Sequence, residues 1–279
     1  MTGSYKYLYI TILAFSLIAS SVYISMKMMN EDTTTENSFS FRIEGKDYIL
    51  PSPFPSFNLL HASHFKWNGL VESNYEISYP IEFQIALNLG SRAADGIVLL
   101  YAHEKEKARI ARSSVLSLSE KLGISENISS SVADLDNTVV YNKPESNIIE
   151  KLSKLQHMVK KSLHEKKRDD LALFVELGGW LEGLHIVTKG IHQNYNPSSA
   201  AILRQPHIAD LFIEALKATQ NNANSPQEKK LIGDLIFQIS KVYKILNQSV
   251  RADFPESKVK ELHEVSIEIK HLIETPIDK

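Results

Sequence analysis

From Pro80 to the C-terminus, apolar residues recur every three or four positions, in runs that end at proline, glycine or clusters of Ser, Asn and Asp. That spacing places them on one face of a helix, and a helix with an apolar face must bury it against others. The pattern is plainest in Leu152, Leu155, Met158, Val159 and Leu163, in Leu231, Leu235, Ile239, Val242 and Leu246, and in Val259, Leu262, Val265, Ile269 and Ile273. Ser225-Pro-Gln-Glu228 has capping-box spacing with proline at the first helical position, so a helix is expected to start there. Six or seven helices are predicted, packed as one all-α bundle over residues 80–279.

Individual boundaries follow from local signals. Pro80 suits a first turn, and the apolar run behind it reads as one central helix. That helix continues, with a kink, through the charged stretch at 103–112 and ends at Gly123. Residues 124–144 read as a connection or a short helix. Asp169–Gln193 is the next largely apolar helix, broken by Asn194-Tyr-Asn-Pro197, after which Ser198 or Ser199 is placed to cap its successor. Charged residues inside the apolar runs, Arg92 and Asp95 in one and Glu176, Glu182 and Lys189 in the other, argue against either run crossing a membrane.

Ahead of Pro80 the period changes. Residues 39–50 alternate apolar and polar around Glu44-Gly-Lys-Asp47, as in a β-hairpin. Pro51, Pro53 and Pro55 make an extended segment that cannot be helical, and residues to 79, with His61, His64 and Trp67, read as irregular. Residues 7–26 carry no charge, lie between Lys6 and Lys27, and include Ala19 and Ser21 at spacing suited to cleavage. The stretch is also long enough to remain as an anchor. The expected plan is a signal or anchor at 1–29, a polar linker at 30–38, a hairpin and proline-rich segment at 39–79, and the bundle at 80–279. Export to a periplasmic or extracellular space follows, with release or inner-membrane tethering through residues 7–26, which would be the chain's one membrane contact.

Composition narrows the function. With no cysteine the chain has no disulfide, thiol nucleophile, iron–sulfur cluster or thiolate zinc site. A formal net charge of −2 gives no field suited to nucleic acid, and the basic run at Lys166-Lys-Arg168 is answered by Glu165, Asp169 and Asp170. Phosphate-loop, dinucleotide, serine-elbow and zinc-protease motifs are all missing. No cofactor is expected, and the balance leans away from an enzyme.

Two polar stripes on apolar helices remain as candidates. Gln84, Asn88, Ser91, Arg92 and Asp95 recur at helical spacing on the first, while Glu182, His185, Lys189 and His192 share a face of the second, which also carries Glu176. Both runs contain glycines, each costing about 1 kcal/mol relative to alanine, which points to close helix approach. The two helices are expected to cross in the core, with Arg92 paired to Glu176 or Glu182, since a buried lone charge is heavily penalised. Such a centre is either an ion-pair network that fixes helix register or a pocket for a small anionic or amide-bearing ligand held by Arg92, Asp95, Asn88, Glu176, Glu182 and His185. Glu182-x-x-His185 and Glu268-x-x-His271 each match half of a di-metal helix pattern, and His61-x-x-His64 is a further histidine pair. The function expected is non-enzymatic binding of a small ligand or protein partner, with a metal-binding or hydrolytic centre at Arg92, Glu176, Glu182 and His185 as the alternative.

Overall fold

The structure is a computed structural model and describes residues 38–43, 45–51, 60–61, 65–72, 78–140, 145–248 and 254–277. The chain divides into two units, 1–39 and 40–279, and the helices belong to the second. The expected signal or anchor at 7–26, Pro53, Pro55 and His64 lie outside the described residues.

The molecule is mostly helical with a small antiparallel hairpin near its start. Strands β1 (Ser38–Ile43) and β2 (Lys46–Pro51) pair with each other. Gly45 turns between them at φ +78°, a conformation that favours glycine. Alternation works as expected: Tyr48 and Leu50 are buried while Asp47 and Ile49 are exposed. Arg42 grips Asp47 with two parallel hydrogen bonds, 2.7 and 2.8 Å.

Among the described residues eight helices of 16 residues or more follow: α1 (Glu82–Tyr101), α2 (Lys105–Lys121), α3 (Ser125–Val140), α4 (Glu145–Glu165), α5 (Asp169–Gln193), then α7 (Pro206–Asn222), α8 (Pro226–Asn247) and α9 (Glu256–Glu274). Between α5 and α7 lie a single turn, α6 (Pro197–Ala200), and a 3-10 turn, Ala201–Leu203. The core pair is α1 on α5. Phe83 stacks on Phe174 at 4.2 Å between ring centres, α9 packs on the C-terminal half of α5, and α7 reaches α5 through Trp180 and Phe212. By length and apolar character α5 could cross a membrane, yet 72% of its most apolar stretch is buried inside the molecule.

The expected boundaries change in four places. Pro80 precedes α1 instead of opening it, and Ile81 takes the cap position. The long first helix is two helices, because α1 stops at His103. Residues 124–144 yield a full helix, α3. Asn196, not Ser198 or Ser199, caps α6, accepting from the Ser198 amide at 2.8 Å. The capping box of α8 forms as read: the Glu228 amide donates to Ser225 Oγ, and the Ser225 amide to Glu228 Oε2, both at 3.1 Å.

The break after α1 has a specific geometry. His103 N–H donates to the Leu100 carbonyl at 3.1 Å and Glu104 N–H to that of Leu99 at 2.9 Å, with His103 at φ +57°. This is a Schellman ending. Gly123 ends α2 in the same way at φ +67°, and Lys167 ends α4 at φ +59°. Only Gly123 announces itself in the sequence.

Candidate functional site: a buried ion-pair centre among three helices

The site begins where α1 and α5 cross. A methyl group added at Gly90 would strike the Val175 carbonyl, and one at Gly178 the Leu87 carbonyl. Glycine at these two positions lets the backbones touch. The approach brings the polar stripe of α1 against α5 and beneath the end of α9, and Gln84, Asn88, Ser91, Arg92 and Asp95 are each no more than 1% exposed.

The stripe divides its work. Gln84 Nε2 donates to the carbonyls of Ile273 (3.2 Å) and Thr275 (2.6 Å), and Asn88 Nδ2 to that of Ile273 (2.7 Å). The last carbonyls of a helix have no partner within it, so two amides of α1 serve as the cap of α9. Asn88 Oδ1 in turn accepts from Tyr79 Oη at 2.9 Å and Arg92 Nη2 at 3.3 Å. Arg92 bonds Asp95 at 3.2 Å and Glu274 at 2.7 Å. Lys270 of α9 bridges Glu274 to the third carboxylate, reaching both oxygens of Glu182 at 2.8 Å and Glu274 at 3.0 Å. Ser91 adds a hydrogen bond to Glu182 at 3.1 Å.

Charge counting locates a proton. Arg92 and Lys270 are two cations facing three carboxyl groups, Asp95, Glu182 and Glu274. Asp95 and Glu182 lie within hydrogen-bonding reach of one another, and Asp95 Oδ1 is buried with no donor against it. Two adjacent buried carboxylates do not both ionise. Burial first, then the charge of Glu182, holds the Asp95 carboxyl well above the usual carboxylate range. Burial opposes the charge of Glu182 too, but Lys270 and His185 outweigh it and keep Glu182 below that range. With Asp95 neutral the centre carries two positive and two negative charges.

His185 borders this centre. Its Nδ1 lies 3.1 Å from Ser266 Oγ, whose own proton goes to the His263 carbonyl at 2.7 Å, so Nδ1 carries a hydrogen and donates. Burial pulls the imidazole down to about 4, and it stays neutral at ordinary pH.

Of the six residues expected to form the site, Asn88, Arg92, Asp95, Glu182 and His185 come together and Glu176 does not. Glu176 lies six residues from Glu182, about 120° around the helix at 3.6 residues per turn. It faces α4, where Gln156 Nε2 donates to both its oxygens at 3.0 and 2.9 Å. Burial, offset in part by Gln156 and Lys160, pushes it up to about 7. The expected pairing of Arg92 with Glu176 or Glu182 is therefore corrected. Asp95 and Glu274 hold the guanidinium, and Lys270 takes Glu182.

Lys270, Glu274 and Ser266 escaped the sequence reading. The signal was present in one respect: Ser266 interrupts the apolar stripe Val259, Leu262, Ile269, Ile273, and Lys270 and Glu274 follow it at steps of four. Across α9, Glu268 pairs with Lys241 at 2.9 Å and His271 contacts Thr275 at 2.8 Å, so these two do not join Glu182 and His185. His61 is half-buried with its ring 4.9 Å from that of Tyr101. Among the described residues no group of three or more His, Asp and Glu is arranged to hold a metal ion.

No protein-family model, curated protein or solved structure matches this chain. Chemistry alone interprets the centre. A protonated carboxyl beside an ionised one is the division of labour of an acid and a base, but Asp95 is 0% and Glu182 2% exposed. The arrangement fastens three helices together.

Proposed function

We propose that this chain is a non-enzymatic binding protein, exported or held at a membrane by residues 7–26, whose helical bundle recognises a protein partner or small ligand on its outer surface. One observation carries the reading: the donor and acceptor sets of the buried centre are turned on one another. The fork of Arg92, which in a ligand pocket would receive the ligand's carboxylate, receives Glu274 of the same chain at 2.7 Å. The uncharged stretch at 7–26 supports export, and the ordinary charge balance supports a partner that is not nucleic acid.

A second reading, a metal-binding or hydrolytic centre around Arg92, Glu182 and His185, has the split protonation of Asp95 and Glu182 in its favour. Glu176 takes no part in it.

Native mass spectrometry with elemental analysis, on the chain isolated from its own cells after fractionation, separates the two. The binding reading expects an envelope or extracellular location and a centre free of metal, with partner binding unchanged in Glu182→Gln. A metal or small molecule retained by the native chain and lost from folded Glu182→Gln would instead establish the second reading. A cytosolic location with an intact N-terminus would remove the export half of the proposal.

A further inference from the structure

Three imidazoles stack across the seam between α5 and α9. His185 and His192 come from α5 and His263 from α9. Ring centres lie 5.5 Å apart for His185 and His263 and 5.6 Å apart for His263 and His192, with tilts of 31° and 35°. His185 is buried, His263 half-buried and His192 exposed, so the stack descends from solvent to the edge of the ion-pair centre. Nδ1 of His263 is buried with no hydrogen-bond partner.

The surrounding charges are largely committed. On α5, Glu182 is held by Lys270, and Lys189 donates to the Leu70 carbonyl at 3.0 Å with Glu72 at 4.0 Å. On α9, Glu264 faces Lys260 at 4.0 Å and Glu274 bridges Lys270 and Arg92. On α1, Asp95 engages Arg92. A proton added to His185 therefore places a new cation beside Lys270, His263 and Lys189, and one added to His263 places it beside His192 and Lys189, where the nearby carboxylates Glu182 and Glu264 already have partners. Like charges this close repel, and each proton taken up makes the closed seam less favourable.

The geometry points to an acid-triggered latch: protonation of His185 and His263 within the stack parts α9 from α5 and opens the Arg92–Glu274 and Lys270–Glu182 pairs to water. The titration of the stack agrees in sign. Burial lowers His185 to about 4, and burial together with His192 and Lys189 lowers His263. The closed seam thus binds fewer protons than the open one, and its stability is lost as pH falls from the ordinary histidine value of 6.5 through about 4.

Hydrogen–deuterium exchange of the full chain, corrected for intrinsic rates and read separately over α9 and α8 through that pH range, tests the latch. The expected result is that α9 loses protection at a higher pH than α8. In a variant carrying His185→Phe, His263→Phe and His192→Phe, which keeps the rings and removes their protons, α9 should stay protected at the pH that opens the native chain. His192→Gln alone, at an exposed position, should move the α9 midpoint to lower pH and serves if the triple variant does not fold. Simultaneous loss of protection in α8 and α9, or midpoints unmoved in the variants that fold, would overturn the proposal.

Discussion

Arg92 and Glu274 meet at 2.7 Å and join the first long helix of the bundle to the last. The arginine side chain is 2% exposed and the glutamate 28%, so the pair sits at the rim of the buried centre. Removing one partner from a buried pair costs about 3–5 kcal/mol, because the other charge is stranded. Arg92→Ala is expected to fall in that range in urea denaturation. Glu274→Ala, at the wetter end, should cost about 2 kcal/mol. Acetate should restore part of the loss in Glu274→Ala, by refilling the guanidinium fork, and none in Arg92→Ala.

The proton on Asp95 is held there first by burial and next by the charge of the neighbouring Glu182. Glu182→Gln removes that charge, so the Asp95 carboxyl should fall toward the ordinary range, as followed by carboxyl carbon NMR. In the native protein the raised Asp95 contributes stability that is full below the ordinary carboxylate range and lost as pH rises through its folded value. In Glu182→Gln that alkaline loss should shrink.

The glycines of the two central helices should separate cleanly by substitution. Gly178→Ala places a methyl against the Leu87 backbone and should destabilise by at least 1–3 kcal/mol, roughly the cost of overpacking. Gly96→Ala meets only the Ala111 side chain at 4.0 Å and should stabilise by about 1 kcal/mol, the helix propensity difference. Thermal melts of the two variants decide it.

Glu176 should make the α4–α5 contact weaken in mild alkali. Its folded value of about 7 lies above the ordinary 4.5, so its contribution is full below 4.5 and lost as pH rises through about 7. Glu176→Gln keeps an acceptor for Gln156 and never ionises. It should be more stable than the native chain at pH 8 by roughly 1–2 kcal/mol and no more stable at pH 4. Chemical denaturation at the two pH values checks the crossing.

Lys167 ends α4 at φ +59°, where a β-carbon is strained. Lys167→Gly should raise stability by about 1 kcal/mol, the left-handed penalty less the extra freedom of glycine in the unfolded chain. Gly123→Ala, the reverse change at the end of α2, should lower it by a similar amount.

The helices that sequence reading placed best are those with agreeing local and periodic signals: α8 with its capping box, and α5 across its whole length. It ran α1 into α2 because the stop is His103 in a left-handed Schellman position, which neither glycine nor proline marks. The polar stripe of α1 was legible because Arg92 and Asp95 stand out on an apolar helix. Its partners were not, since Lys270 and Glu274 look like ordinary residues of a solvated face and only the fold shows that α9 turns them inward. Glu176 was grouped with Glu182 by nearness in sequence, although the helix carries the two to different sides.

Gln84 and Asn88 hold carbonyls of Ile273 and Thr275, groups supplied nearly two hundred residues later in the chain. During synthesis, α1 thus emerges long before the segment that completes it. Until α9 arrives, Arg92 lacks its nearest counter-ion and cannot be enclosed without penalty. Final closure is therefore a late, long-range event, and the half-made chain remains looser until its last helix is in place.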